Sequence, residues 1–390
     1  MKTNILFILG MLLLFSGCKN ENNTSNSVQN TPIIIPIEKQ NAQPISLTDY
    51  VDSVKYIPLD TKDENLINHL TKVFFVDDKI LVVDGEEMRI LFFDKSGEYL
   101  YKIDKQGKGP EEYTVLHTVM VDEEKRIIVY DSMGHKLVYY SIDGKFLKAT
   151  TEISNNALIR NIINLPNGNF LCYTYNLTSE QVGEQASGLW EIDSNGVFVR
   201  SYFAYETLYP IVHNYDNSNL QANAKESISI LDIVNQKIFH LHEGKLTEYL
   251  SFKIDNDRRK EYAGKTYTEK KDYNICINFQ EKGNRIFTGW KNTEEGFHTI
   301  FSKQNNESIL ISKKTFWDGK GKIPFGRKLF IDNNSSDILL TSFSGTDILE
   351  ILEKENLQQQ YRKQIEKIIA GKNETEILEM NPVLLLLYIK

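Results

Sequence analysis

Apolar and polar residues alternate in short runs along most of the chain, and Gly, Asn and Asp punctuate the runs, which is the pattern of half-buried β-strands joined by turns. One unit repeats. Ile80-Leu81-Val82-Val83-Asp84, Ile90-Leu91-Phe92-Phe93-Asp94 and Lys95-Ser96-Gly97-Glu98-Tyr99-Leu100 read as strand, strand, hairpin turn and strand. The same order returns at Ile127-Ile128-Val129-Tyr130-Asp131, Leu137-Val138-Tyr139-Tyr140 and Ile142-Asp143-Gly144-Lys145-Phe146-Leu147. Asp84 to Asp131 and Gly97 to Gly144 are both steps of 47 residues, so the two copies are in register. The turn marks each copy because a tight hairpin needs positive φ at its centre, which Gly adopts freely and Asn or Asp tolerate. It recurs at Ser194-Asn195-Gly196 and Glu243-Gly244, and in degenerate form at Asn305-Asn306. A sixth copy begins at Lys328-Leu329-Phe330-Ile331 and Ile338-Leu339-Leu340-Thr341, and the span from Leu70 to Leu352 holds about six periods.

A repeat of this length with no helix to cover a face must bury its sheets against neighbouring copies, and a propeller does so radially. The pattern predicts an all-β fold, a six-bladed β-propeller of four-stranded antiparallel blades. A linear β-solenoid is the alternative, with a shorter usual repeat. Closing the ring requires a blade built from both chain ends. Ser53 to Leu59 is strand-like and placed to complete the last blade, and Val383 to Ile389 adds another strand there. Between the sixth copy and that strand, residues 357–370 show helical spacing through Leu357, Tyr361, Ile365 and Ile368-Ile369, and end before Gly371. This C-terminal helix is expected to pack outside the ring.

The N-terminus changes the picture of what folds. Lys2, the apolar run from Ile5 to Phe15 and the small residues Ser16-Gly17 form a signal peptide over residues 1–17, too short to span a bilayer. Leu14-Phe15-Ser16-Gly17-Cys18 resembles the bacterial lipobox, which makes Cys18 the lipidated residue, and Phe15 departs from the commoner Leu. Residues 18–31 are Asn- and Ser-rich and serve as a flexible tether, leaving 32–390 as a single propeller domain. The remaining cysteines, Cys172 and Cys276, lie in alternating apolar runs and read as buried free thiols. A formal charge of −8 argues against nucleic acid as a partner.

Three short segments carry a family likeness: Tyr56-Ile57-Pro58-Leu59-Asp60-Thr61, Gly107-Lys108-Gly109-Pro110-Glu111-Glu112-Tyr113 and Asn381-Pro382-Val383-Leu384. With them the chain resembles the six-bladed β-propeller lipoproteins of Gram-negative gut bacteria, which are similar to NHL-repeat propellers. The resemblance covers nearly all of the mature chain. It implies the fold and an envelope location, a lipid anchor in the outer membrane facing the periplasm or the cell surface, and supplies no activity. Glu111 stands where that family usually has Gly, so a less tightly turned loop is expected there.

Candidate chemistry is sparse. Connections from an outer strand to the next inner strand line the channel rim, which makes Tyr113, His117, Arg160, His213, Tyr215 and Arg327 the candidate ligand-binding residues. The Gly107–Pro110 loop lacks the spacing of a phosphate loop. His240 and His242 share a strand face, as two metal ligands would, with no third ligand nearby. Lys313, Lys314, Lys320, Lys322, Arg327 and Lys328 surround Phe316 and Trp317, a mixture suited to an anionic sugar or to a solvated loop. Asp122, Glu123 and Glu124 read as acid–base or calcium ligands, or as a polar turn. Asp52-Ser53-Val54 and Asp131-Ser132-Met133 match a short O-glycosylation sequon that ordinary turns also satisfy. No nucleophile elbow, zinc-protease motif or dinucleotide fingerprint is present. The reading is a membrane-anchored envelope module that binds or scaffolds a glycan, peptide or protein at its rim. No cofactor is called for. The alternative is a metal-dependent lyase or hydrolase with a divalent metal in the central channel.

Overall fold

Strand runs bounded by positive-φ turns assemble as the repeat dictates. The computed structural model describes residues 32–37, 50–150, 153, 159–174, 180, 188–206, 219–222, 227–254, 275–291, 296–312, 332–335, 337–353 and 359–390. Five four-stranded antiparallel blades follow one another in sequence order. Blade 1 runs through Leu70–Val76, Lys79–Asp84, Arg89–Asp94 and Tyr99–Ile103, and blade 2 through Leu116–Val121, Ile127–Asp131, Lys136–Tyr140 and Phe146–Ala149. Blade 3 is Asn161–Asn164, Phe170–Thr174, Gly188–Ile192 and Phe198–Phe203; blade 4 is Leu220–Ala222, Ile228–Asp232, Lys237–His242 and Lys245–Ile254. Blade 5 is Ile275–Lys282, Arg285–Lys291, Gly296–Ser302 and Glu307–Ser312. The sixth blade joins both chain ends, with Val51–Pro58 outermost, Val383–Ile389 in the middle and Ile338–Phe343 inside, all antiparallel. Asp332–Asn333 pairs in parallel with the inner strand of blade 1, across the closing seam. Lys328–Ile331 lies outside the described residues.

Two features go beyond the repeat. The expected helix is present as Gln359–Ile368 (α2), and the same insertion carries Gly345–Leu352 (α1) and Glu374–Leu378 (α3). Ser344 caps α1 by accepting from Asp347 N at 3.2 Å, and Asn373 caps α3 by accepting from Glu376 N at 3.0 Å. Ile348, Ile351, Tyr361, Ile365 and Ile377 pack with Phe343, Val383 and Leu385 of the last blade and with Phe287 and Ile300 of blade 5. The second feature is Ile33–Ile37, which pairs in parallel with the outer strand of blade 4. Ile35 and Ile37 are buried with Leu250 and Phe252 of that blade and Trp290 of blade 5, so this strand fastens two blades at their perimeter.

Each seam between blades is apolar, and full burial of one such aliphatic or aromatic side chain is worth about 2 kcal/mol. Buried carboxylates pair many of the backbone donors that enter the seams. Asp131, fully buried at the end of its strand, accepts from Thr114 N (2.7 Å) and Val115 N (3.0 Å) of the loop entering blade 2, and from Met133 N and Gly134 N of its own turn. Asp84 does the same for Asn68 N, His69 N, Glu86 N and Glu87 N. Asp232 holds Val234 N and Asn235 N, and takes the hydroxyl of Tyr205, in the loop entering blade 4, at 2.7 Å. Carboxamides form a second set of ties. Gln221 pairs with both backbone groups of Glu281, Gln236 with those of Cys276, and Asn334 with those of Phe75, each acting as a short piece of strand. Hairpin turns are seated on neighbouring blades: Asp60 N donates to Gly97 O at 2.8 Å, and a Cβ at Gly97 would stand 2.0 Å from Pro58 O.

Asp131→Ala leaves four backbone donors without their acceptor, two of them in a loop that cannot reorient freely. Equilibrium denaturation should show a loss of about 3 kcal/mol relative to the parent, against less than about 0.5 kcal/mol for the exposed neighbour Met133→Ala; equal effects would show that the carboxylate is not a tie.

Candidate functional site

In an antiparallel blade the connections fall alternately at opposite ends of the strands, so the lengths of these connections distinguish the two faces of the ring. On one face, which holds the links from first to second and from third to fourth strands, no connection exceeds five residues, 122–126 and 193–197 being among the longest. On the other face the links between blades run over 59–69, 104–115, 150–160, 204–219, 255–274 and 313–331. The within-blade insertions 175–187 and 344–382 lie on that same face. Long connections carry recognition more often than two-residue turns do, and here the strand ends that bound them all lie at one face of the ring.

The structure brings two of the predicted rim residues together. His117 is second in the inner strand of blade 2, and its Nε2 donates to the carbonyl of Arg160, just before blade 3, over 3.4 Å. The imidazole meets the Tyr130 ring edge to face at 5.5 Å, and burial pushes its pKa below the ordinary histidine range. Tyr113 lies in the core instead. It is fully buried; its hydroxyl donates to Met88 O at 2.7 Å and accepts from Lys105 N at 3.3 Å, so it braces the connection that the sequence placed on the rim. His213, Tyr215, Arg327, Cys18 and the basic run 313–328 lie outside the described residues. The Gly107–Pro110 loop is held within itself and by blade 2: Glu112 Oε2 accepts from Gly109 N at 2.7 Å, Gly107 N donates to Tyr113 O, and Glu111 O accepts from the Tyr140 hydroxyl. Asp122 and Glu124 pair with Arg126 at 2.7 and 2.9 Å in a turn on the opposite face. Cys172 and Cys276 are buried free thiols whose pKa burial raises.

His240 and His242 part company. His240 stacks on Tyr249 at 4.0 Å and turns Nε2 toward Glu281 Oε2 at 3.4 Å. Glu281, on the inner strand of blade 5, also accepts from Ser229 Oγ at 2.6 Å and Lys303 Nζ at 2.9 Å. Serine, histidine and glutamate thus meet without forming a nucleophilic triad, because the fully buried Ser229 donates to the carboxylate and not to the imidazole. Among the described residues no three His, Cys, Asp or Glu side chains group as metal ligands would. Sequence reasoning missed Glu281, although three successive polar residues, Gln280 to Lys282, close a strand whose earlier residues are apolar except for Asn278.

Burial pushes the Glu281 carboxyl up, but the hydrogen bonds from His240 and Ser229 and the Lys303 charge outweigh it and hold the pKa down to about 2. A carboxyl depressed on folding contributes stability that is complete above its unfolded value near 4.5 and is lost as pH falls toward about 2. Urea unfolding at pH 6 and pH 3 should therefore show an acid loss that is smaller in Glu281→Gln by about 2 kcal/mol; an identical pH slope in the variant would remove the assignment.

At the level of the whole chain, a Bacteroides fragilis protein described as exported superimposes with a TM-score of 0.72, at 16% identity over 92% of this chain and 100% of that one. A member of the DUF4221 family from Bacteroides vulgatus aligns over 87% of this chain and 97% of its own, at 10% identity and a TM-score of 0.49. Virginiamycin B lyase from Staphylococcus aureus aligns at 12% identity and a TM-score of 0.38, over 67% of this chain and 74% of its own. No curated protein matches. The Bacteroides fragilis neighbour establishes the fold alone. The match that runs from residue 32 to residue 388 takes in all six blades, and by it the chain belongs to the family described as Domain of unknown function (DUF4934).

Proposed function

We propose that the protein is a binding or scaffolding module of the cell envelope, held to a membrane through a lipid on Cys18, that takes a glycan, peptide or protein on the long-connection face. The observation that carries this reading is the asymmetry of the ring, with every connection longer than five residues on one face and the His117–Arg160 contact at its inner rim. Export is supported by the apolar leader and by the description of the Bacteroides fragilis neighbour. The Leu14–Cys18 segment supports lipidation, and several acyl chains at about 0.8 kcal/mol per buried methylene would anchor the domain firmly.

Two measurements test the reading. Cys18→Ala is expected to shift the protein from the membrane pellet to the soluble fraction, and an unchanged distribution would remove the lipid anchor. A thermal-shift panel of acidic and neutral glycans, peptides and divalent metals should yield a stabilising ligand, and the shift should fall at least about twofold in His117→Ala/Arg160→Ala. Stoichiometric metal that is lost on chelation, together with cleavage of a panel compound, would replace the binding reading with the lyase or hydrolase one.

A further inference from the structure

One ladder position follows a rule in the first two blades, and blade 3 breaks it. Two residues before each third-to-fourth-strand turn, Phe92 pairs with Tyr101, Tyr139 with Lys148, and Glu191 with Arg200. The first pair is a ring stack at 4.3 Å and the second a cation over a ring at 4.5 Å. In both, a tyrosine spans the seam to the next blade: the Tyr101 hydroxyl donates to Ile142 O and the Tyr139 hydroxyl to Ser194 O. Blade 3 has no ring at this position. Its pair is an ion pair of 3.0 Å between Arg200 Nε and a Glu191 carboxylate that is 1% exposed. Asn169 (2.6 Å), Asn167 (3.4 Å) and Tyr202 (2.9 Å) fill the remaining acceptor sites of Glu191.

The seam between blades 3 and 4 keeps an opening beside the Tyr202 ring, which lies two residues beyond Arg200. A groove of about 290 Å³ lies there on the short-turn face, lined by Leu165, Ile228 and Leu241, by the Tyr202 ring, and at its edge by Arg200, His242 and Glu243. The guanidinium is half-exposed, oriented by the buried carboxylate behind it, and reaches to 3.4 Å from where a Cβ on Gly244 would stand. A planar fork with one edge committed to Glu191 offers its remaining N–H groups to a second carboxylate. The aliphatic floor offers the surface on which the other seams seat a tyrosine ring.

We propose that this groove binds an aromatic carboxylate, with the ring in the open seam and the carboxylate on Arg200. Two sources share that chemistry, a free aromatic acid and the C-terminal aromatic residue of a peptide. The site lies on the face opposite the long connections, so it stands or falls independently of the rim.

Isothermal titration of the purified protein with 4-hydroxyphenylacetate, with a short peptide ending in tyrosine, and with 4-hydroxyphenylethanol as the uncharged control tests it. At least one acid should bind saturably at one site, and the alcohol at least about tenfold more weakly. Binding of the free acid alone identifies a small-molecule site, and binding of the peptide alone a chain-terminus site. Arg200→Gln should weaken the interaction by about tenfold or more. Glu191→Phe/Arg200→Tyr rebuilds the blade 1 pair in blade 3; it should fold with a Tm no lower than the parent and lose binding. No binding of either acid at millimolar concentration, or binding that survives Arg200→Gln or the double replacement, overturns the proposal.

Discussion

A loop that passes from the outside of one blade to the centre of the next carries backbone N–H groups into a seam where neither water nor a strand partner meets them, and the ring depends on their being paired. The buried aspartate at the end of the second strand meets this need. Because Asp84 and Asp131 sit where a strand gives way to a turn, each one grips the entering loop with one set of hydrogen bonds and closes its own turn with another. The loop and the turn are fixed to each other, and with them the height at which the inner strand starts. Blade 4 ties its entering loop to Asp232 through the Tyr205 hydroxyl, whereas in blade 3 Thr174 stands at this position and accepts from the Trp190 ring of its own blade at 3.2 Å.

The repeat was legible because this constraint is local in sequence: the aspartate, the turn glycine and the apolar runs recur at one spacing, and the strands and the closure by Val51–Pro58 follow from it. The N-terminal strand was not legible. Ile33–Ile37 is a five-residue apolar run with a proline, outside the period, and its partner at 245–254 lies more than two hundred residues away. Helices α1 and α3 were within reach of local reasoning, since Ser344 to Asp347 and Asn373 to Glu376 are capping boxes, but the shortness of the helices weakens their periodicity. At the site, sequence reasoning counted Tyr113 as a rim residue because it judged the connection by its position, and a connection also needs a core-facing anchor. His117 and Arg160 stand on adjacent blades about a repeat apart in the chain, and a contact between them could not be read from spacing alone.

The two faces differ in how they can vary. Residues added to the long connections cost little, since loop-closure entropy grows only logarithmically with length, so that face diversifies by insertion. The short turns cannot lengthen without unseating them from their neighbours, as the 2.0 Å approach at Gly97 shows, so variation on that face is confined to exchanging side chains in the seams. Such an exchange has a cost. Burying Glu191 where an aromatic ring would pack is compensated only by four donors drawn from a turn and a strand, and the result still leaves a groove. A replacement that leaves both a fully partnered buried charge and unfilled volume is poorly accounted for by stability alone, because a tyrosine at the same position ties the seam with one hydrogen bond. The pairing of Glu191 with Arg200 is better understood as the orientation of a cation toward whatever fills the space that the ring has vacated.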